Sequence, residues 1–521
     1  MRTENSLKNI SMNIFNQIVL VLLGFISRKI FIDNLGGTYL GVNAFLTSII
    51  SMLGLVEGGI GVSIVYNLYK PLAEKDEEKI IALVQLYKKV YTILAIVIGI
   101  FSLIIYPFIG SIIKKGDNIP LLGIVYFIFV FKNMISYLNA HKWSLINADQ
   151  KEYVLAKYNL FFNVITAVLK IIVLQLTHNY IVYLIIELGV LIVQNICNGQ
   201  IVTKRYPYIK MDRKIKVDKE VKDNLIKNVK ALFFHNVGSW CVYGTDNILI
   251  STFISIKTAG LYSNYLMITS QVSALIDPIV SGIGASIGNL IATEEASKTY
   301  KVFKTTYLVN FWIYSVSVIF LYNLIQPFIE WWIGSSMLLG NGVLIIILIN
   351  LYIKGLRNSI LIFKYKAGLF DNDKYITLLE AIVNLGMSLI LVKPFGLLGI
   401  FMGTTISTLA LPFWVQPKLV YKYVFNEKCL RYFRRYLEYL ALTLFIGTIT
   451  TGICNLINLK FTLISLIIKG LICILIPCTF YLIVFLKTEE FQYLFKVMLP
   501  IIKKLRLKIN RQYNGVLGKT N

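Results

Sequence analysis

The chain has 521 residues, of which 56% are hydrophobic and only 15% are charged, and its formal net charge is +25. Soluble globular proteins average about 45–50% apolar and about 25% charged residues. The apolar excess excludes an ordinary soluble protein. In a membrane protein, a large positive charge indicates cytoplasmic loops rather than nucleic-acid binding.

A membrane-spanning helix needs roughly 20 mostly apolar residues, and the sequence contains fourteen such segments. They are too long and too continuous to be the alternating strands of a barrel. We therefore predict an all-α polytopic membrane protein. The approximate spans are 10–32, 41–66, 87–113, 120–138, 153–176, 179–202, 229–253, 260–291, 303–325, 337–353, 376–393, 396–415, 436–458 and 461–486.

The distribution of basic residues predicts the orientation of these helices. Lys and Arg are concentrated in the loops that face the cytoplasm if the N-terminus is inside, as the positive-inside rule requires. With fourteen helices, both termini are then cytoplasmic. The basic residues left in the outside loops are Arg28, Lys29, Lys114, Lys115, Lys257, Lys393 and Lys460.

An internal repeat divides the chain into two related halves. A shift of 219 residues places Gly41 on Gly260, and Gly59-Ile60-Gly61 recurs as Gly282-Ile283-Gly284. Six helices separate the two copies, so they form parallel repeats, which are common in transporters. The predicted parts are an N-terminal six-helix lobe (1–202), a basic cytoplasmic linker (203–228), a C-terminal six-helix lobe (229–415), helices 13 and 14 (436–486) and a basic amphipathic cytoplasmic tail (487–521).

Polar side chains recur at three- and four-residue steps on helix 1 and on helix 7, its equivalent in the second repeat. Matching polar faces predict a hydrophilic cavity that both repeats line. Alternatively, these side chains form hydrogen bonds between packed helices. The residues are Asn13, Asn16, Gln17, Ser27 and Arg28 on helix 1, and His235, Ser239, Tyr243 and Asp246 on helix 7.

Four basic residues near or within the membrane are candidates for the substrate-binding cavity: Arg28, Lys29, Lys132 and Lys170. Charges within a membrane are costly, which favours a functional role. Alternatively, Arg28, Lys29 and Lys132 extend to the membrane interface. A cavity rich in cations suits a phosphate-bearing substrate, because Arg pairs with phosphate through two bonds and Lys supplies a point charge.

Acidic residues also occur in the apolar segments, at Glu57, Glu187, Asp246 and Asp277. Glu57, Asp246 and Asp277 either balance the cations of the empty cavity or bind a coupling proton or sodium ion. Alternatively, each pairs with a basic neighbour and only fixes the structure. The sequence Asp277-Pro278 predicts an interruption of helix 8, because proline removes a helical hydrogen bond.

We find no nucleophile with a suitable base, no metal-binding cluster and no nucleotide motif, so we expect neither an enzyme nor a bound cofactor. Two rival functions stay open: a multidrug-type antiporter driven by a cation gradient, and a membrane-embedded saccharide polymerase or glycosyltransferase. The latter would need a large outside loop with catalytic acids, and the predicted outside loops are short.

Several motifs resemble those of Wzx-type polysaccharide flippases over roughly residues 1–490. They are Arg28…Leu35-Gly36…Leu40-Gly41, Glu57-x-Gly59-Ile60-Gly61, Leu68-Tyr69-Lys70-Pro71-Leu72, Ala148-Asp149-Gln150-Lys151-x-Tyr153-Val154, Tyr206-Pro207-Tyr208, Thr245-Asp246-Asn247, Gly260-Leu261-Tyr262-Ser263-Asn264-Tyr265, Gly288-Asn289-Leu290, Gly368-Leu369-Phe370 and Gly403-Thr404-Thr405-Ile406-Ser407.

This resemblance implies the multidrug/oligosaccharidyl-lipid/polysaccharide exporter superfamily and a bacterial cytoplasmic membrane location. It implies alternating access, with an undecaprenyl-diphosphate-linked oligosaccharide as substrate and no nucleic acid. Membrane lipids and other polysaccharide assembly proteins are the further partners expected, and energy comes from a proton or sodium gradient or the membrane potential. Only Arg28 and Asp246 carry over as site residues, and helices 13 and 14 by analogy form a groove for the lipid tail.

Overall fold

The computed structural model describes residues 2–58, 60–112, 119–210, 236–282, 284–369, 371–457 and 463–496. Within these ranges all regular structure is helical. Ten helices of the described chain are long and apolar enough to cross a membrane, or eleven if the bent pair Leu122–Leu138 and Ala140–Ala148 is one span. The prediction of an all-α polytopic membrane protein is confirmed.

The first two predicted segments form one long element with a kink. Helix α1 (Arg2–Gly54) contains Gly36 in a non-helical conformation with φ 79°, in the interval between the predicted segments 10–32 and 41–66. A 3-10 turn (Leu55–Glu57) follows, and α2 (Ile60–Glu74) then continues. The predicted unbroken segment 41–66 is therefore wrong. Gly58 adopts φ 54°, a left-handed conformation that glycine adopts without strain, and it ends the 3-10 turn.

The next five helices are α3 (Glu77–Ile112), α4 (Leu122–Leu138), α5 (Ala140–Ala148), α6 (Tyr153–Thr177) and α7 (Tyr180–Arg205). Four of them cover the third to sixth predicted segments, but α3 begins at Glu77 rather than at residue 87, and α5 lies in no predicted segment. Helices α4 and α5 meet at an angle of 46°. The start of α7 follows from Asn179, whose side chain accepts hydrogen bonds from the amides of Ile181 and Val182 and so caps the helix.

After the region 211–235, residues 236–243 are helical, and ten further helices of the described chain come after them. They are α8 (Asp246–Phe253), α9 (Ile256–Gly282), α10 (Gly284–Thr293), α11 (Ala296–Ile333), α12 (Asn341–Lys366), α13 (Lys374–Phe395), α14 (Leu397–Ala410), α15 (Pro412–Val420), α16 (Leu430–Leu456) and α17 (Leu463–Phe485).

The predicted interruption at Asp277-Pro278 is wrong, because α9 continues through both residues to Gly282. A membrane helix tolerates proline where neighbouring groups satisfy the freed carbonyl.

The contacts group the chain into two compact units. Unit 1 comprises residues 1–267 and 377–407, and unit 2 comprises residues 268–376 and 408–521. These units follow spatial contacts rather than the sequence repeat, so the predicted lobes 1–202 and 229–415 stay a prediction. The linker beyond residue 210 and the tail beyond residue 496 lie outside the described residues.

An aromatic core holds α16 and α17 in unit 2. Phe311 of α11 stacks on Tyr439 of α16 with ring centroids 4.0 Å apart, and its ring also lies 5.0 Å from that of Tyr481 of α17. All three side chains are buried. The predicted helices 13 and 14, which correspond to α16 and α17, therefore pack directly against α11.

Glycines bring α1 and α9 into backbone contact in unit 1. A Cβ atom on Gly41 would lie 1.7 Å from the carbonyl oxygen of Ile256, and one on Gly260 would lie 2.2 Å from the carbonyl oxygen of Gly37. No larger residue fits without moving a backbone. Gly41 and Gly260 are also the residues that the sequence repeat aligned, so equivalent positions of the two repeats meet here.

Candidate functional site

Arg28 of α1 binds to two neighbouring residues of α9. Its Nη1 donates to Ser263 Oγ at 2.9 Å and to Asn264 Oδ1 at 3.4 Å. Both partners are buried, Asn264 completely. Within the residues that the structure describes, no carboxylate lies within 4.0 Å of the guanidinium. Arg28 is therefore a partly buried positive charge that is held by neutral groups.

Lys132 of α4 and Lys170 of α6 share one carboxylate. Lys132 Nζ lies 2.6 Å from Glu187 Oε1, and Lys170 Nζ lies 2.9 Å from Glu187 Oε2. The three side chains are only 17–26% exposed. One acid thus balances two lysines, and the triad retains one net positive charge.

Tyr183 lies beside both groups of cations. Lys170 Nζ is 4.2 Å from the centre of the Tyr183 ring, a distance at which a cation is attracted to an aromatic face. The Tyr183 ring also packs edge-on against Phe31 with the ring centroids 5.2 Å apart, and Phe31 lies about one helical turn after Arg28 on α1. Arg28, Lys170 and Lys132 are therefore brought into one region of unit 1.

Lys29 has an acidic partner on its own helix. Its Nζ pairs with Asp33 at 3.3 Å on the same helix, and both side chains are about half exposed. An exposed pair of this kind contributes little to stability.

Asn16 behaves as the alternative interpretation predicted. Its Nδ2 donates to the carbonyl oxygen of Ala156 at 3.1 Å and so ties α1 to α6. Its Oδ1 is buried without a hydrogen-bond partner among the described residues. The contact is typical of packed membrane helices.

Glu57 and Asp246 bind tyrosines rather than cations. The Tyr137 hydroxyl donates to Glu57 Oε2 at 3.2 Å, and the Tyr262 hydroxyl donates to Asp246 Oδ2 at 3.3 Å. Among the described side chains, neither acid has a basic group within 4.0 Å. Neither therefore neutralises a cation of the site in this arrangement.

Two predicted site residues fall beyond what can be described. His235 lies in 211–235, outside the described residues. The backbone of Asp277 belongs to α9, but its side chain is also outside the described part of the chain.

Two motifs of the resemblance meet at the end of α7. The Tyr206 hydroxyl donates to Asp149 Oδ2 at 2.6 Å, and Lys151 Nζ contacts the same oxygen at 2.6 Å. Burial, together with the Asp149 carboxylate, raises the pKa of Tyr206, so its hydroxyl stays protonated and donates. These motifs therefore fix a loop connection and contribute no free charge.

Sequence reasoning missed the partners of the cations. Glu187 stood out as an acid in an apolar segment, but nothing in the sequence linked it to lysines 55 and 17 residues away. Tyr183 gave no signal. Ser263 and Asn264 belonged to a motif of the resemblance, but only the fold brings them to Arg28.

The described residues contain no group of three or more His, Cys, Asp or Glu that could hold a metal ion. A surface cavity of about 660 Å³ at the ends of α3 and α4 is lined by apolar side chains such as Tyr106 and Phe131. It carries none of the charged residues above, so it is not the candidate site.

The chain was compared with known families, curated proteins and solved structures. No family matches it, and neither does any curated protein. Solved structures do match. The lipid II flippase MurJ, in an inward closed conformation, is 14% identical with a TM-score of 0.65, and the match covers 91% of this chain and 99% of that one.

Two MATE transporters are also similar. An inward-facing transporter of the MATE family, in the MOP superfamily, is 12% identical with a TM-score of 0.60, over 75% of this chain and 91% of its own. A mutant form of the Vibrio cholerae MATE transporter VcmN is 12% identical with a TM-score of 0.55, over 82% and 99%. At such identities the likeness is one of fold. This is the fold that the resemblance implied, and that prediction is confirmed.

Proposed function

We propose that this multi-pass membrane protein is a flippase for undecaprenyl-diphosphate-linked oligosaccharide repeat units. It would move them across the bacterial cytoplasmic membrane by alternating access, for the synthesis of surface polysaccharide. Its fold, shared with a lipid flippase and with multidrug exporters, supports transport rather than enzymatic catalysis. The finer assignment rests on one observation, the excess of positive charge around Arg28, Lys132 and Lys170.

The chemistry of this cluster suits a diphosphate. Glu187 pairs with both Lys132 and Lys170, and Arg28 has no carboxylate within 4.0 Å among the described residues, so the three cations exceed this one acid by two positive charges. Keeping such charges within a membrane is costly, and an anionic headgroup would remove that cost. The guanidinium of Arg28 can form a two-bond pair with phosphate, and the lysines add point charges.

The main rival is a multidrug-type antiporter driven by a cation gradient. The MATE structures favour it by fold. A site for cationic drugs, however, would be expected to carry an excess of acids. The cluster in unit 1 has the opposite balance. A polymerase or glycosyltransferase has less support, since the similar solved structures are transporters.

The same proposal covers the energy source for transport and the binding of the substrate's polyprenyl chain. Glu57 and Asp246, whose carboxylates accept hydrogen bonds from tyrosine hydroxyls, are the acids best suited to bind a coupling proton or sodium ion. The membrane potential is the alternative source of energy. Helices α16 and α17 carry exposed apolar side chains such as Leu444, Leu475 and Ile483, which suit a polyprenyl chain.

A binding measurement with farnesyl diphosphate in detergent tests the proposal. A hydrogen bond to a charged group contributes about 1.5–3 kcal/mol, so Arg28→Ala should weaken binding roughly 10- to 150-fold. Lys29→Ala is the matched control, because it removes a neighbouring charge that is exposed and paired with Asp33. Farnesol should bind equally to all three proteins. Equal affinity of wild type and Arg28→Ala for the diphosphate would refute the assignment.

A further inference from the structure

A chain of hydrogen bonds connects Arg28 to the close crossing of α1 and α9. Arg28 Nη1 donates to Ser263 Oγ at 2.9 Å, and Ser263 Oγ donates to the carbonyl oxygen of Gly260 at 2.7 Å. Gly260 is the residue whose backbone touches Gly37 and Gly41. The side chain proposed to bind phosphate therefore also holds together the two helices that meet at these glycines.

Asn264 adds a second observation at the same place. It is completely buried, and its Oδ1 accepts a hydrogen bond from Arg28 at 3.4 Å. Its Nδ2 is buried without a hydrogen-bond partner among the described residues. A buried donor that lacks an acceptor is costly, so this arrangement is stable only while other contacts hold it closed. An anionic oxygen beside Arg28 would give the Asn264 amide the acceptor that it lacks.

We propose that Ser263 and Asn264 are positioning residues that compete with the lipid diphosphate for Arg28, so that headgroup binding releases the α1–α9 crossing. This inference rests on the proposed function. A phosphate oxygen forms a stronger bond to guanidinium than a neutral hydroxyl or amide oxygen does. The headgroup therefore takes Arg28 from Ser263 and Asn264, and the helix crossing loses these hydrogen bonds.

Thermodynamic linkage makes the proposal quantitative. If phosphate binding opens the crossing, then a change that raises the open fraction and leaves the phosphate contacts intact must strengthen phosphate binding in proportion to that fraction. Removal of the Ser263 hydroxyl should therefore have two effects together: a looser crossing without ligand and a higher affinity for diphosphate. A residue that only stabilises the fold would loosen the structure without raising this affinity.

The test uses the full-length protein in detergent, with farnesyl diphosphate as the probe and farnesol as the uncharged control. Hydrogen–deuterium exchange of peptides covering residues 30–45 and 254–268 reports on the crossing. In the wild type, farnesyl diphosphate should increase exchange in both peptides, and farnesol should not. Ser263→Ala should exchange faster without ligand and bind the diphosphate roughly tenfold more tightly. Ser263→Thr, which keeps the hydroxyl, should behave as the wild type.

Ser48→Ala is the matched control. Ser48 is also a buried serine, and its Oγ accepts a hydrogen bond from Asn247 Nδ2 of α8 at 3.1 Å, without contact to Arg28. It should leave the diphosphate affinity unchanged.

The inference is overturned, while the proposed function stands, if Arg28→Ala loses binding but Ser263→Ala changes neither affinity nor exchange. The inference is likewise overturned, and the proposed function stands, if farnesyl diphosphate slows hydrogen–deuterium exchange in the two wild-type peptides. If Arg28→Ala binds as the wild type does, both proposals fail.

Discussion

A carboxylate shared by two lysines inside a membrane, as at Glu187, is stable only while all three charges remain together. Lys132 and Lys170 each lie within 3 Å of one of its oxygens. Removing one member of a buried ion pair leaves a charge without a partner, which costs far more than the pair itself contributes. Substitution of a residue in this triad should therefore lower the free energy of unfolding far more than substitution of an exposed ion pair, and thermal melting can measure the difference.

Glu187→Gln should destabilise the protein strongly. It leaves Lys132 and Lys170 facing each other without the carboxylate that both contact. For a largely buried pair we expect a loss of about 3 kcal/mol in the free energy of unfolding. Thermal melting in detergent measures this. Asp33→Asn, which breaks the exposed Lys29–Asp33 pair, should cost less than about 1 kcal/mol. Similar melting temperatures for the two variants would contradict this account.

At the scale of helices, the sequence predicted which helices exist and roughly where they lie better than it predicted where a helix breaks. The fourth to sixth segments were predicted closely, because uninterrupted apolar runs have one stable structure in lipid, whereas the third helix begins at Glu77, well before the predicted residue 87. The break after Glu57 and the continuity of α9 through Pro278 were both missed. Both depend on whether neighbouring side chains satisfy the freed backbone groups, and this is decided by packing.

The crossing of α1 and α9 should not tolerate a methyl group. Gly41→Ala places Cβ within 1.7 Å of a backbone oxygen, so the helices must move apart. We expect a loss of about 1–3 kcal/mol, as for other overpacked sites. Gly189→Ala in α7 is the control. Nothing lies within 4 Å of its Cβ position. It should be neutral or stabilising by about 0.5–1 kcal/mol, because alanine favours helix. Equal stability of the two variants in a melting experiment would argue against the close crossing.

The attachment of α16 and α17 should depend on Phe311. Its ring is fully buried against Tyr439 and Tyr481. Phe311→Ala should lower stability by about 3–5 kcal/mol, the range for large aromatic side chains in a core. Phe445→Ala removes an equal ring from a position on α16 that is 55% exposed, and it should cost much less. Limited proteolysis and thermal melting distinguish the two, and equal sensitivity would disprove the role of the aromatic core.

For the whole molecule, the fold class could be predicted from the composition, whereas the contacts of the candidate site became visible only in the three-dimensional structure. Arg28 was visible because charge is rare in apolar segments. Its partners Ser263 and Asn264 lie 235 and 236 residues away, and no local pattern links them. The repeat did pair Gly41 with Gly260, which the structure brings into contact. Equivalent positions of a repeat can be recognised in a sequence, whereas the hydrogen bonds of unlike residues cannot.

Transport in reconstituted vesicles tests the central claim most directly. The substrate is a fluorescent polyprenyl-diphosphate oligosaccharide, and its arrival in the opposite leaflet is read by chemical quenching. We expect wild-type protein and Lys29→Ala to accelerate transfer over protein-free vesicles, and Arg28→Ala to reduce the rate at least tenfold. No acceleration by the wild type, with export of a cationic drug from the same vesicles, would contradict a diphosphate-lipid flippase and favour the multidrug antiporter.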